Sequence, residues 1–140
     1  METLLQSISF VITPFHILLL LGCTMYGMVC GSLPGLSSSM AIILVLPFTY
    51  TMNPVTAIVV LVSVYVGGAC GGSISAILLR IPGTPEAVAT TFDGYPMSIR
   101  GESGRALGLA VTASSFGGIF SAFVMVISAP LLARLALNFQ

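Results

Sequence analysis

The stretch that decides the fold runs from Val55 to Leu79, VTAIVVLVSVYVGGACGGSISAILL, and contains no charged side chain. Asn53 and Pro54 open it, and a glycine-rich run from Gly67 to Gly72 lies inside it. A membrane-spanning α-helix needs roughly 20 consecutive apolar residues at about 1.5 Å each, so this stretch is long enough. It therefore predicts one helix that crosses a lipid bilayer.

Two further apolar blocks flank this stretch, one at about 15–50 and one at about 106–133. The run Gly31–Ser39 and the later Pro47 interrupt the first block. That block either crosses once and leaves a re-entrant tail, or crosses twice with a short second limb. A polar stretch, 80–105, separates the block at 55–79 from the block at about 106–133. We expect an all-α protein of polytopic transmembrane helices with Pro/Gly-broken or re-entrant segments, forming a single membrane domain over residues 1–140.

The composition excludes most soluble classes of protein. Hydrophobic residues make up 56% of the 140 residues and charged residues 6%, against roughly 25% charged residues in soluble domains. A soluble chain of this size has too much surface to cover with such a sequence, so the expected environment is the lipid bilayer. The net charge of zero gives no reason to expect nucleic acid as a partner. No phosphate loop, zinc motif or nucleophile elbow occurs, so we expect neither an enzyme nor a cofactor.

The cysteines and the histidine are weak candidates for chemistry. Cys23 and Cys30 are seven residues apart and would share a helix face, but no histidine or second thiol motif lies beside them. Buried packing is the favoured interpretation, and no metal site is expected. His16 follows Pro14 at the start of the first block and has no acidic neighbour, which indicates an interfacial residue.

Small residues recur at four-residue spacing in every block. Such rows let membrane helices approach closely, so each block is expected to pack against other helices. The rows are Gly27, Gly31 and Gly35; Gly67 and Gly71; Gly68 and Gly72; Gly104 and Gly108; and Ala113, Gly117 and Ser121.

The interruptions inside the apolar blocks are the strongest candidates for a functional site. Non-helical backbone at membrane depth survives only inside protein or beside a water-filled cavity, and transporters build substrate and ion sites from it. Pro34 and Gly35 are followed by Ser37, Ser38 and Ser39, which supply hydroxyls next to a helix N-terminus that could face an anion. The alternative is a loop at the membrane surface. The run Gly71-Gly72-Ser73-Ile74-Ser75 is a second candidate, whose glycines could equally serve close packing.

The polar stretch carries three of the four arginines, which predicts that it faces the cytoplasm. Thr84, Pro85 and Glu86 are typical of a helix start, and Gly94 of its end. Such a helix would place Glu86, Thr90 and Asp93 on one face. The two carboxylates then either coordinate a cation or relay protons, or belong to a solvated loop helix.

Five motifs give the chain a resemblance to a known family. They are Gly31–Leu36 (GSLPGL), Val64–Gly67 (VYVG), Gly71–Ser75 (GGSIS), Ile81–Thr84 (IPGT) and Asp93–Met97 (DGYPM). In this order they resemble the large membrane subunit, of TctA type, of tripartite tricarboxylate transporters. The resemblance covers nearly the whole chain from about Pro14.

The resemblance implies an ion-coupled secondary transporter that takes up carboxylates such as citrate across the bacterial inner membrane. It also implies two partners, a small membrane subunit and a periplasmic substrate-binding protein, with sodium or protons as the coupling cation. On this basis Pro34–Ser39 and Gly71–Ser75 are expected to be two unwound segments that meet around a carboxylate, with backbone N–H groups and serine hydroxyls as donors. Asp93, with Glu86 and Thr90, is expected to serve the coupling cation.

Two departures from the family pattern matter. Ser37, Ser38 and Ser39 stand where members usually continue with glycine-rich residues, so the ligand contacts there are expected to differ. Family members are also several times longer and built from two related halves. The chain is therefore expected to be an amino-terminal part of a longer two-half transporter. The alternative function is a truncated, non-transporting membrane assembly or scaffold piece.

Overall fold

The computed structural model describes residues 12–137, and within this range the chain is all-α, as the sequence predicts. No strand occurs in the described range. A 3₁₀ turn, Pro85–Val88, lies between the third and fourth helices. The helices are α1 (Pro14–Ser32), α2 (Ser38–Thr49), α3 (Pro54–Leu79), α4 (Thr90–Ile99) and α5 (Ser103–Leu137).

Three of these helices are long and apolar enough to cross a membrane: α1, α3 and α5 over Ser103–Ser128. The 12-residue α2 spans only about 18 Å, whereas a bilayer core is about 30 Å thick. The chain is therefore a multi-pass membrane protein with one helix too short to cross. In the first block the long α1 is followed by the short α2, and this length favours one crossing with a shorter second segment over two crossings.

Local sequence explains where the helices begin. The side chain of Asn53 accepts a hydrogen bond from the backbone N–H of Val55 at 3.2 Å, and Pro54 occupies the first helical position of α3. The side chain of Ser37 accepts from the N–H of Met40 at 3.3 Å and caps α2. Pro47 lies inside α2 and does not end it.

Helices α1 and α3 pack through glycine, which confirms the role predicted for the rows in the first and second blocks except at Gly35, which meets no atom within 4 Å. A Cβ atom on Gly27 would clash with the carbonyl oxygen of Val64, and one on Gly67 with the carbonyl oxygen of Thr24. Gly31 meets the backbone of Gly68 in the same way. The two backbones are therefore in direct contact, close enough for Cα–H···O interactions.

The prediction of unwound backbone at Gly71–Ser75 is wrong, because the whole segment is α-helical within α3. Gly71 and Gly72 are buried against neighbouring backbone and side chains. An α-helix satisfies its own N–H and C=O groups, so glycine here provides close approach without breaking the ladder.

The prediction of one helix from Thr84 to Gly94 is also wrong. The 3₁₀ turn ends at Val88, Ala89 separates it from α4, and Gly94 and Pro96 lie inside α4. Gly94 is needed there for packing, because a Cβ on it would lie 2.7 Å from the Cγ1 atom of Ile77 in α3. Glu86 belongs to the turn and Asp93 to α4, so the regular helical spacing predicted for them does not hold.

The chain divides into two compact units at Leu107. The first unit contains α1 to α4 and the start of α5, and its core is the face of α3 that α1, α2 and α4 cover. Val64 and Ile77 are the largest fully buried side chains of that core. The second unit begins at Gly108 and consists of the rest of α5.

Candidate functional site

The break between α1 and α2 comprises Leu33–Ser37 and supplies the backbone geometry of the site. Gly35 has φ = 94°, a conformation that L-residues with a Cβ rarely adopt. The N–H of Leu36 donates to the carbonyl of Leu33 at 3.1 Å, which closes the turn. The chain thus leaves the C-terminal end of one helix and enters the N-terminal end of another within five residues. These two ends carry opposite partial charges.

Ser38 and Ser39 form the first turn of α2 and differ sharply in exposure. Ser38 is 5% exposed, and its Oγ atom lies 2.8 Å from the point where a Cβ on Gly68 would stand. Ser39 is exposed, as are Pro34 and Gly35. Backbone N–H groups in the first turn of a helix lack intrahelical acceptors, so this end of α2 can accept an anionic group.

The residues predicted at the second glycine segment do not supply free donors. The Ser73 hydroxyl donates to the carbonyl of Ala69 at 3.4 Å, and the Ser75 hydroxyl to that of Gly72 at 3.1 Å. Gly71 contacts Met28 and Ser32 at the end of α1. The structure therefore brings this segment beside the α1–α2 break, as expected, but as a packing surface.

Thr84 is a site residue that the sequence indicated only as a helix cap. It makes no side-chain cap hydrogen bond. It is 3% exposed, and its Oγ1 atom lies 2.8 Å from the position of a Cβ on Gly72. The N–H of Gly83 donates to the carbonyl of Gly72 at 3.4 Å and holds the loop after α3 against the helix. The Pro82-Gly83 pair directly after an apolar block was the available signal, since it turns the chain back.

The hydroxyls of Ser38 and Thr84, called here the hydroxyl pair, share an unusual property. Both oxygen atoms are buried, and neither has a hydrogen-bond partner among the described residues. A buried polar group without a partner costs about 1–3 kcal/mol. By contrast, the buried hydroxyl of Ser63 donates to the carbonyl of Val59. The hydroxyl pair therefore marks a place where the fold leaves polar groups for something other than itself.

The residues predicted for ion coupling lie at the surface of the chain or close to it. Glu86 and Asp93 are exposed, and Thr90 is half-buried. The ion pair described by the structure in this part of the chain joins Arg105 and Glu102 at 3.6 Å and is exposed. The structure does not bring Asp93 or Glu86 into the α1–α2 break.

His16 is buried, where the sequence predicted an interfacial residue. Its Nε2 atom lies 3.2 Å from the Oγ1 atom of Thr56, so the ring bridges the starts of α1 and α3. Thr56 and Gly72 are 16 positions apart on α3, roughly 24 Å along the axis. His16 therefore serves helix packing far from the hydroxyl pair.

A separate pocket of about 340 Å³ lies where α4 meets the end of α3. Arg80, with φ = 59°, ends α3, and its guanidinium lies 5.6 Å from the ring centroid of Tyr95. This cation–π contact holds the side chain of Arg80, one of two arginines that line the pocket. The lining residues are Arg80, Thr91, Phe92, Tyr95, Pro96, Ile99 and Arg100.

Three comparisons with known proteins bear on this architecture. The tripartite tricarboxylate transporter TctA family matches residues 17–140. A protein of Agrobacterium vitis described as an uncharacterized 52.8 kDa protein in the TAR-I ttuC' 3' region is 38% identical over 128 residues, which cover 91% of this chain. The chain spans about a quarter of that relative, 26% of its length. No solved structure matches. With its apolar spanning helices and the ordered glycine motifs, the chain belongs to the tripartite tricarboxylate transporter TctA family.

Proposed function

We propose that this chain forms part of the membrane pathway of an ion-coupled secondary transporter for di- or tricarboxylates in a bacterial inner membrane. A small membrane subunit and a periplasmic substrate-binding protein are the partners, and sodium or protons supply the driving gradient. Family membership supports the transporter class. The observation that carries the proposal is the α1–α2 break, which places the start of α2 against the glycine-rich face of α3.

The physical case concerns how a carboxylate can enter an apolar protein. No arginine or lysine occurs from Thr3 to Leu79, so the donors in this region are backbone N–H groups and hydroxyls. The first turn of α2 offers both, with its exposed Ser39 accessible to a ligand. The positive end of a helix dipole adds attraction for a negative charge. Of the predicted substrate residues, Pro34, Gly35, Ser37 and Ser39 are retained in this assignment, whereas the buried hydroxyl of Ser38 is not counted among the donors.

A charge placed at Ser39 tests the assignment without breaking the helix. Ser39→Asp adds a negative charge in the first turn of α2, where acidic residues stabilise helices. A unit charge about 5 Å from a bound carboxylate costs about 3 kcal/mol at an effective dielectric constant of 20. In a full-length transporter carrying these residues, we expect the KM for carboxylate uptake to rise by at least about tenfold, since each 1.4 kcal/mol is tenfold.

The matched control is Ser39→Asn, because the asparagine side chain has nearly the same shape as aspartate and carries no charge. We expect uptake by this variant to stay within about threefold of the unmodified transporter. Equal uptake by the Asp and Asn variants, at equal amounts of protein in the membrane, would show that the carboxylate binds elsewhere. The α1–α2 break would then be a loop at the membrane surface.

A further inference from the structure

The hydroxyl pair lies on one face of α3, one helical turn apart. Ser38 from α2 covers Gly68, and Thr84 from the loop after α3 covers Gly72. Residues four apart on a helix are neighbours on its surface. Two segments far apart in sequence thus deliver one unpartnered hydroxyl each to adjacent glycines.

The last turn of α1 joins these two positions. Gly31 packs against the backbone of Gly68, and its carbonyl oxygen contacts Gly83, the residue before Thr84. The final carbonyl groups of a helix have no intrahelical donor and carry partial negative charge. The contacts around Gly68, Gly72 and Gly83 therefore involve a carbonyl oxygen at the negative end of α1 and two neutral hydroxyl oxygens.

The burial of these atoms limits the size of an occupant. Ser38 and Thr84 are 5% and 3% exposed, and their hydroxyl oxygens are inaccessible to solvent. A carboxylate cannot reach oxygen atoms buried this deeply without moving protein, so the occupants to consider are a single water or a dehydrated cation. Divalent cations in proteins are bound mainly through carboxylates, and no acidic residue occurs from Thr3 to Thr84. Helix C-terminal ends and carbonyl oxygens in transporters suit monovalent cations.

We propose that the Ser38 Oγ atom, the Thr84 Oγ1 atom and the Gly31 carbonyl oxygen bind a monovalent alkali cation, with sodium as the probe of choice. Its role as the coupling ion rests on the proposed function, but its binding does not. Hydroxyl and carbonyl oxygens do not titrate near neutral pH, so the site discriminates against proton coupling. The cation lies beside the first turn of α2, where it adds positive charge next to the carboxylate position.

Thermal unfolding of the purified full-length protein tests the site without any carboxylate. A ligand at free concentration c that binds only the folded state adds RT ln(1 + c/Kd) to the free energy of unfolding, so the melting temperature rises once the ligand concentration exceeds Kd. We expect sodium chloride to raise the melting temperature above that in choline chloride at equal ionic strength, with a rise that follows this logarithmic law and yields a Kd for sodium. Thr84→Val keeps the shape and removes the hydroxyl, and should raise the fitted Kd for sodium at least tenfold. Thr84→Ser keeps the hydroxyl and should stay within threefold.

Two further variants exclude a general packing effect. Ser38→Ala should weaken sodium binding as Thr84→Val does. Ser63→Ala removes an equally buried hydroxyl of α3 that donates to its own helix, and should leave the sodium dependence unchanged. Absence of a sodium effect in the unmodified protein, or equal responses of Thr84→Val and Thr84→Ser, would overturn the proposal and indicate an ordered water at most.

The outcome is separable from the test of the carboxylate site. Normal sodium binding by Thr84→Val together with impaired uptake by Ser39→Asp rejects the cation site and keeps the proposed function. Weakened sodium binding by Thr84→Val together with unimpaired uptake by Ser39→Asp keeps the cation site and rejects the carboxylate site at the start of α2.

Discussion

Gly27 of α1 lies directly against the backbone carbonyl of Val64 in α3. No side chain, however small, fits between the two, because a Cβ atom on Gly27 would also stand 3.0 Å from the backbone nitrogen of Gly68. Helix association in lipid depends on such close packing, since burial of apolar area provides little driving force there. The Gly27–Val64 contact therefore sets the distance between the two helices that flank the candidate site.

Gly27→Val is expected to destabilise the protein by about 1–3 kcal/mol, since overpacking forces the helices apart. The control is Gly22→Val on the same helix, where a Cβ meets nothing within 4 Å. Both variants change helix propensity equally, so the difference in melting temperature in detergent reports the packing alone. Equal melting temperatures would show that α1 and α3 are not held by this contact.

Gly35→Val should disturb the α1–α2 break because the backbone conformation at this position is unfavourable for valine, and not because the side chain would clash with a neighbour. A Cβ on Gly35 meets nothing within 4 Å, but its φ of 94° is unfavourable for a β-branched residue. We expect a cost of about 1–3 kcal/mol and reduced carboxylate uptake, with membrane insertion intact. Gly35→Asn should be milder, because Asn tolerates positive φ better. If the two variants behave alike in uptake and melting temperature, the left-handed backbone at Gly35 is not essential.

The two ends of α3 should label from opposite sides of the membrane, with the segment after it in the cytoplasm. Three arginines between Arg80 and Arg105 favour that orientation. Single cysteines replacing the exposed Ala89 and Ile99, in a background without the native cysteines, should resist a membrane-impermeant thiol reagent in intact cells. A cysteine replacing the exposed Met52, just before α3, should react. The reverse pattern would invert the orientation.

The coupling cation is assigned either to Asp93, from the sequence, or to the site that contains Thr84. Uptake by Asp93→Asn and by Thr84→Val distinguishes these two assignments. The sequence-based assignment to Asp93 stays a prediction, and it requires that the loss of the carboxylate weakens the dependence of uptake on the driving ion. Because Asp93 is exposed on α4, we expect the half-saturating sodium concentration of Asp93→Asn to stay within about threefold, consistent with weak interactions of solvated charges. A tenfold or greater shift in Asp93→Asn alone would place the cation at α4.

The sequence by itself determined the fold class and the spanning helices. Uncharged apolar runs such as 55–79 must satisfy their backbone groups internally in lipid, and the α-helix does so locally. Local chemistry also determined helix boundaries at Asn53 and Ser37, where side chains cap the first turn. The break at Pro34 and Gly35 belongs to the same class, because it depends on residues adjacent in the chain.

Only the tertiary structure decided what each glycine and hydroxyl does. Glycine permits both positive φ and close packing, and the choice depends on what lies opposite: Gly35 has no neighbour within 4 Å and turns the chain, whereas Gly71 meets Met28 and stays helical. Ser75 and Thr84 have similar hydroxyls, yet one donates to its own helix and the other lies unpartnered against Gly72. That difference comes from contacts between residues distant in sequence, which no local pattern encodes.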